Sequence, residues 1–183
     1  MSFIEKESAV AMEQAIIAGG CFWCTEAVFK DVIGVSAVES GYIGGTVADP
    51  TYKQVCTGTT GHAEVVRVTY DTDVISLEDV LEFFWRAHDP TTLNRQGADV
   101  GPQYRSIVLC SDERQRASVE KSMAAAQERF SDPIVTEIVP AGAFYPAEDY
   151  HRDYYEQNSR QGYCRLVIQP KLEKLGFDSA PLG

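Results

Sequence analysis

Apolar positions follow two different periods along this chain, and the change of period separates predicted strands from predicted helices. An unbroken apolar run at residues 15–18 predicts a buried strand. The alternating pattern of residues 63–70 predicts a strand with one covered face, shared by Val66, Val68 and Tyr70. Further extended segments are predicted over residues 35–42, 105–109 and 134–139.

Helical patterns lie between these strands. A first helix is predicted over residues 21–30. A second is predicted to begin at Ser76, where Ser-Leu-Glu-Asp forms a capping box before an amphipathic stretch. Its inward residues are predicted to be Val80, Leu81, Phe84 and Trp85. A third is predicted from residues 111–113 to about residue 130, and a short one over residues 147–158. Two proline residues, Pro170 and Pro181, predict a largely irregular segment after Gly162.

The order strand, helix, strand is found twice, followed by an additional helix and strand. It favours an α+β fold of the ferredoxin-like (split βαβ) type, a two-layer sandwich with a mixed sheet, extra helices and an irregular C-terminal tail. A doubly wound sheet is the alternative, but residues 35–70 contain no helical pattern. The length of 183 residues fits a single catalytic domain. Within it, residues 1–12 are predicted to be an N-terminal extension and residues 162–183 a tail.

Charge narrows the range of partners. The net charge of −11 disfavours nucleic acids and anionic membranes, which would repel an acidic surface. No apolar run is long enough to span a bilayer, and the first residues lack the basic end and apolar centre of a signal peptide. We therefore expect a cytoplasmic protein, and nothing in the sequence requires more than a monomer.

The cysteines are five in number and scattered: Cys21, Cys24, Cys56, Cys110 and Cys164. A secreted disulfide framework is denser and usually even in number. The Cys21-x-x-Cys24 pair is thus predicted to be redox-active or metal-binding. Zinc is the weaker interpretation because the three histidines are isolated in sequence, and no cofactor is expected. Cys56 and Cys110 are predicted to be buried structural thiols.

Cys21 is the candidate nucleophile. It follows Gly19-Gly20 and precedes a helical pattern, so it is placed at a helix N-terminus, where the helix dipole lowers a thiol pKa. The alternative is a small buried core residue. Phe22 and Trp23 occupy adjacent helical positions that cannot both point inward, so at least one is predicted to line a surface or pocket.

Three further residues carry polar chemistry in unusual positions. Glu64 shares the apolar face of its predicted strand, which leaves two interpretations open: a misassigned edge residue, or an acid kept protonated by burial. Tyr52 and Tyr104 lie in long polar loops, where a phenol donates hydrogen bonds to a substrate or simply closes the loop over the core.

Several short motifs occur together in this chain. They are Gly20-Cys21-Phe22-Trp23 with Glu26, Gly41-Tyr42-x-Gly44-Gly45, Pro50-Thr51-Tyr52, Gly61-His62-Ala63-Glu64, His88-Asp89-Pro90-Thr91, Arg95-Gln96-Gly97-x-Asp99-x-Gly101-x-Gln103-Tyr104-Arg105-Ser106, Ala147-Glu148-Asp149-Tyr150-His151 and Gly162-Tyr163-Cys164. In this order, over residues 15–175, the set resembles peptide methionine sulfoxide reductase of the type A family. Each motif alone is weak, but the combination is highly specific.

The resemblance implies a thiol-dependent reduction of methionine S-sulfoxide, free or in proteins and peptides, with thioredoxin as the reductant. It implies the following roles: Cys21 as nucleophile, Glu64 as acid, Tyr52 and Tyr104 as hydrogen-bond donors to the sulfoxide oxygen, and Phe22, Trp23 and Asp99 as the lining of the substrate pocket. The resemblance thus decides the two interpretations of Glu64 in favour of a protonated acid. A general dithiol–disulfide oxidoreductase using Cys21 and Cys24 is the alternative function.

The resolving cysteine, which forms a disulfide with the oxidised nucleophile, has two candidates. Cys24 lies one helical turn from Cys21. Many family members have glycine at that position and recycle through a C-terminal cysteine, which here corresponds to Cys164. We expect Cys24 to react first, with Cys164 relaying to the external reductant.

Overall fold

The computed structural model describes residues 10–177. The strands in that range are β1 (Met12–Ala18), β2 (Val35–Ile43), β3 (Ala63–Asp71), β4 (Arg95–Gln96), β5 (Asp99–Val100), β6 (Ile107–Cys110), β7 (Glu137–Pro140) and β8 (Tyr145–Pro146). The helices are α1 (Phe22–Lys30), α2 (Tyr52–Cys56), α3 (Leu77–Ala87), α4 (Glu113–Gln127), α5 (Tyr154–Asn158) and α6 (Gln169–Leu175). None of these helices is long and apolar enough to cross a membrane.

The strands build a mixed α/β structure. Within the described residues, a six-stranded sheet has the order β7-β6-β1-β3-β2-β8. β6 and β7 are parallel, and all other neighbours are antiparallel. β4 and β5 pair with each other in a separate hairpin. The mixed sheet expected from the sequence is therefore present. Of the predicted N-terminal extension, residues 1–9 lie outside the described part, and Met12 already belongs to β1.

The alternation of β3 divides its side chains between two apolar cores. Val66, Val68 and Tyr70 belong to the larger core, which also contains the buried residues of α1 and α3. Ala63 and Val65 belong to a smaller cluster on the opposite face. This confirms the predicted covered face and assigns Glu64, by its parity, to the side of the helices.

Helix α3 begins where its capping box predicts. The Ser76 hydroxyl accepts a hydrogen bond from the Asp79 backbone N–H at 3.1 Å, and the Asp79 side chain accepts one from the Ser76 N–H at 3.3 Å. Such a cap stabilises a helix by about 1 kcal/mol. The four predicted inward residues, Val80, Leu81, Phe84 and Trp85, are all buried.

The two long loops contain short elements that the sequence does not reveal. Residues 46–61 include α2, which starts with a second capping box formed by Thr51 and Gln54. Residues 91–103 include the β4–β5 hairpin, and a 3₁₀ turn follows at Pro102–Tyr104. These elements have two to five residues, too few for either period to be recognised.

The prediction of an irregular C-terminal tail is wrong for the described residues. A π-helical segment, Cys164–Ile168, runs directly into α6. Cys164, Ile168, Leu172 and Leu175 are buried in the larger core at helical spacing, and this packing stabilises the segment. Pro170 lies in the first turn of α6, where its missing N–H costs little. Residues 178–183 lie outside the described part.

Candidate active site

The backbone around Cys21 is held by glycine. Gly20 has φ of +97°, and a Cβ there would lie 2.7 Å from the Gln96 side chain, so the position accepts only glycine without strain. β1 ends at Ala18 and α1 begins at Phe22, with Cys21 as its N-cap residue. The Cys21 carbonyl accepts a hydrogen bond from the Cys24 N–H at 3.1 Å. Cys21 therefore lies at a helix N-terminus.

The pKa of the Cys21 thiol is not lowered, contrary to the prediction from that position. Burial raises it well above its ordinary value, and the neighbouring Glu64 and Cys24 raise it further. The Trp23 backbone N–H and the Tyr163 hydroxyl act in the opposite direction but are weaker. Only 7% of Cys21 is exposed, so the charged form loses more hydration than the helix terminus restores. At neutral pH the free protein holds a neutral thiol.

Glu64 lies on β3 and is 1% exposed. One carboxyl oxygen, Oε2, accepts a hydrogen bond from the Phe22 backbone N–H at 3.1 Å. The other, Oε1, is buried without a partner among the described residues. Burial raises the pKa of Glu64 to about 8, and Asp99 adds to the shift. The carboxyl is therefore neutral at pH 7 and holds a proton that it can donate.

Two phenols lie near the thiol and the carboxyl. Tyr52, at the start of α2, is held through its backbone N–H by the Glu148 side chain at 3.1 Å. Tyr104, in the 3₁₀ turn, interacts electrostatically with Glu64 and Cys21. Burial raises the pKa of both hydroxyls, so both remain protonated donors.

The aromatic residues after Cys21 have different environments. Phe22 is fully buried and stacks on Tyr52, with ring centroids 6.3 Å apart. Trp23 is half-buried, donates a hydrogen bond to His151 Nδ1 at 3.0 Å, and stacks on Tyr154 with ring centroids 3.7 Å apart. The C-terminal segment, residues 147–177, thus covers Trp23 and helps to close the site in this structure.

Tyr163 links the C-terminal segment to the site, a contact that the sequence did not predict. Its hydroxyl donates to Asp99 Oδ2 at 2.7 Å and lies 3.6 Å from Cys24 Sγ. The next residue, Cys164, is fully buried and close enough to Cys24 for the two to interact electrostatically. The two candidate resolving cysteines therefore lie near each other.

The structure gathers every residue predicted for the site: Cys21, Phe22, Trp23, Cys24, Tyr52, Glu64, Asp99, Tyr104 and Cys164. It adds Tyr163, His151, Tyr154 and Glu148, all from the C-terminal third of the chain. The motifs at residues 147–151 and 162–164 contain most of them and were the available signal. One interpretation is corrected: Cys56 was expected to be a buried structural thiol, but it is exposed and interacts with Tyr52.

A buried thiol at a helix N-terminus, a neutral carboxyl and two further thiols define a thiol-dependent oxidoreductase. The model of the family described as peptide methionine sulfoxide reductase matches residues 13–180. The chain belongs to the peptide methionine sulfoxide reductase family, which confirms the resemblance seen in its motifs. Its reaction is accordingly the thiol-dependent reduction of methionine sulfoxide.

Individual relatives agree along most of their length. The chain is 55% identical over 163 residues to peptide methionine sulfoxide reductase MsrA of Leptospira borgpetersenii, covering 89% of this chain and 93% of that protein. It is 57% identical over 171 residues to MsrA of Deinococcus radiodurans, covering 92% and 83%. Among solved structures, reduced Mxr1 from Saccharomyces cerevisiae superposes with a TM-score of 0.80 at 35% identity, covering 84% of this chain and 89% of that one.

Proposed function

We propose that Cys21 attacks the sulfur of methionine sulfoxide while Glu64 protonates the departing oxygen. One observation carries this proposal: Glu64 is a buried, neutral carboxyl next to the thiol, with one oxygen that has no partner among the described residues. A sulfoxide oxygen is a poor leaving group until it is protonated. An acid held neutral at pH 7 supplies that proton where water is excluded.

The first step balances within the site. Attack forms a bond between the Cys21 sulfur and the substrate sulfur. The protonated oxygen then moves to the Cys21 sulfur as this sulfur–sulfur bond and the sulfur–oxygen bond of the substrate break, so the sulfoxide is reduced to methionine and Cys21 is oxidised to a sulfenic acid. Glu64 delivers its proton to the oxygen, and the proton of the Cys21 thiol replaces it on the carboxyl. The neutral thiol of the free protein is compatible with this step because its proton has a nearby acceptor once Glu64 has reacted.

The remaining site residues orient the substrate. Tyr52 and Tyr104 are protonated phenols that stabilise charge developing on the oxygen. Phe22 and Trp23 supply the apolar wall for the methyl group, and Asp99 borders the same pocket. Because Cys21 is only 7% exposed, the aromatic side chains around it must move when a substrate enters.

Cys24 is proposed as the first resolving cysteine and Cys164 as a relay. Their burial beside each other supports the order Cys21–Cys24 followed by exchange with Cys164. The external reductant is proposed to be thioredoxin. Mxr1 of Saccharomyces cerevisiae, which the chain resembles at 35% identity in its reduced form, has also been solved in complex with Trx2.

The substrate is proposed to be the S epimer of methionine sulfoxide, free or in oxidised proteins and peptides, since one reductase type acts on each epimer.

The four strands in the order β6-β1-β3-β2, with helices following β1 and β3, support a ferredoxin-like core within a single catalytic domain. All five cysteines are free in the structure, which suits a reducing, cytoplasmic location. The protein is proposed to be a monomer.

The test measures turnover of the two separated sulfoxide epimers with dithiothreitol as reductant. We expect the S epimer alone to yield methionine, Cys21→Ser to abolish the reaction, and Glu64→Gln to slow it strongly. Turnover of both epimers at equal rates would contradict the proposed specificity. Full activity of Cys21→Ser would remove the proposed nucleophile.

A further inference from the structure

The Cys24 thiol is in an environment that disfavours its reactive thiolate form. It is 2% exposed, and burial raises the pKa of its thiol. A buried thiol has little access to solvent base, yet it must lose its proton to attack a sulfenic acid. The proposed function therefore requires a proton acceptor close to the Cys24 sulfur.

The charged and titratable groups that act on Cys24 come from several elements: Cys21 from the start of α1, Glu64 from β3, Asp99 from β5, Tyr163 and Cys164 from the C-terminal segment, and Lys171 from α6. Most of them cannot take the proton. The Lys171 ammonium has no lone pair with which to accept a proton. Glu64 is itself protonated at neutral pH, because burial raises its pKa to about 8. Asp99 is the carboxyl that remains.

Tyr163 connects Cys24 to that carboxyl. Its hydroxyl proton points to Asp99 Oδ2 at 2.7 Å, so a lone pair of its oxygen can accept the S–H of Cys24, whose sulfur lies 3.6 Å away. The same hydroxyl also interacts with the Cys21 thiol. Cys24, Tyr163 and Asp99 form a chain in which each hydrogen bond points towards the carboxylate. Asp99 and Tyr163 come from separate elements, the β4–β5 hairpin and the C-terminal segment, so the chain forms only when that segment is docked.

We propose that Tyr163 and Asp99 form a proton relay that activates Cys24 for the resolving step. As the Cys24 thiol passes its proton to the Tyr163 oxygen, the Tyr163 hydroxyl proton passes to Asp99. The Cys24 sulfur then forms a bond to the Cys21 sulfur, and the sulfur–oxygen bond of the sulfenic acid breaks. The oxygen leaves as water with a proton from Glu64, which Glu64 later regains from Asp99 through solvent. Cys24 is oxidised, and the Cys21 sulfur is reduced from sulfenic acid to disulfide.

This inference rests on the proposed role of Cys24, and the experiment separates the two. A single turnover of methionine S-sulfoxide by the full chain, without reductant, is followed by rapid quenching. Methionine release reports the first step, and the Cys21–Cys24 disulfide, identified by mass spectrometry, reports the second. A cyclic 1,3-dione traps any accumulated sulfenic acid. Absence of methionine from the wild type would overturn the proposed function and, with it, the relay.

The decisive variant is Tyr163→Phe. We expect it to slow disulfide formation at least tenfold more than it slows methionine release, so that sulfenic acid accumulates. The deficit should shrink as pH rises towards the raised pKa of Cys24, because hydroxide then replaces the relay. Asp99→Asn, which retains the phenol but removes the acceptor, should delay the disulfide in the same way.

Tyr154→Phe is the matched control. It removes a hydroxyl of the same segment that donates to Gln161 at 3.0 Å, and it keeps the ring that stacks on Trp23. The ratio of the two rates should not change in this variant. The relay is overturned if Tyr163→Phe slows both steps by one factor at every pH, which indicates a docking role. It is also overturned if the first disulfide joins Cys21 directly to Cys164.

Discussion

Two buried polar clusters of this protein differ in how fully their hydrogen bonds are satisfied. At His88, Nδ1 contacts the Phe84 carbonyl at 2.7 Å and Nε2 contacts the Ser106 hydroxyl at 2.7 Å. The Ser106 hydroxyl also forms a hydrogen bond with the Thr136 hydroxyl, at 2.7 Å. At Glu64, one carboxyl oxygen is held by Phe22 and the other has no partner among the described residues.

This difference in hydrogen bonding indicates that the two clusters have different roles. A satisfied network fixes the structure, since each group already has the partner that it needs. A buried carboxyl oxygen without a partner lowers the folding stability of a protein. Such a group is retained where an atom of the substrate becomes its hydrogen-bond partner. The His88 cluster, which joins the end of α3 to the strand region, is accordingly interpreted as structural, and the Glu64 cluster as reactive.

The largest effect expected is on the chemistry of Glu64. Glu64→Gln should reduce the rate of the first step by about a thousandfold, within the range of lost general acid catalysis, and should not lower the melting temperature. Stopped single-turnover assays and thermal unfolding measure the two quantities. Glu26→Gln is the matched control, because Glu26 is also buried with a pKa raised to about 7, but its Oε1 accepts from the Asp153 N–H at 2.8 Å. If both variants lose activity equally, the unpaired oxygen is not what distinguishes Glu64.

The next effect is on stability. His88→Ala should cost on the order of 3 kcal/mol of unfolding free energy, because it leaves a cavity and removes the ring contacts with the Phe84 carbonyl and the Ser106 hydroxyl. The rate of sulfoxide reduction per folded molecule should fall less than tenfold. Denaturant unfolding and an activity assay on the same sample provide the comparison. A hundredfold loss of activity at unchanged stability would reverse the roles of the two clusters.

The clusters should also give stability opposite dependences on pH. Burial lowers the pKa of His88 from 6.5 to about 4, so between these values the unfolded chain binds more protons and stability falls as pH falls. Burial raises the pKa of Glu64 from 4.5 to about 8, so between these values the folded chain binds more protons and stability falls as pH rises. Each slope is at most about 1.4 kcal/mol per pH unit.

Denaturant unfolding of the wild type and both variants from pH 4 to 8 isolates these contributions. The stability of Glu64→Gln relative to the wild type should increase with pH. The deficit of His88→Ala should be largest above pH 6.5 and shrink towards pH 4. Parallel curves for the three proteins would mean that neither group changes its pKa on folding.

The smallest effect is expected at the far end of the satisfied network. Thr136→Val removes the last hydroxyl of the His88 chain and should cost about 1 kcal/mol, the typical net value of one hydrogen bond. Activity should be unchanged, which a steady-state assay with dithiothreitol checks. A larger activity loss than in His88→Ala would show that this hydrogen-bonded network influences the geometry of the active site.

Much of the fold and the position of the nucleophile were predictable from local patterns. The alternation in β3, the capping box of α3 and the Gly-Gly pair before Cys21 each act within a few residues, so a short stretch of sequence contains the information. The C-terminal helices were missed because Pro170 suggested an interruption, whereas burial of Ile168 and Leu172 against the rest of the core stabilises them.

The sequence by itself determined the order of the longer strands and helices up to residue 140, the helix-terminal place of Cys21 and, through its motifs, the family. Only the tertiary structure decided that the Cys21 thiol is neutral, that Glu64 retains an unpaired oxygen, and that Tyr163 reaches Asp99. The contact from Phe22 to Glu64 spans 42 positions and that from Tyr163 to Asp99 spans 64. Protonation depends on burial and on charges a few ångströms away, and these are set by packing between distant segments of the chain.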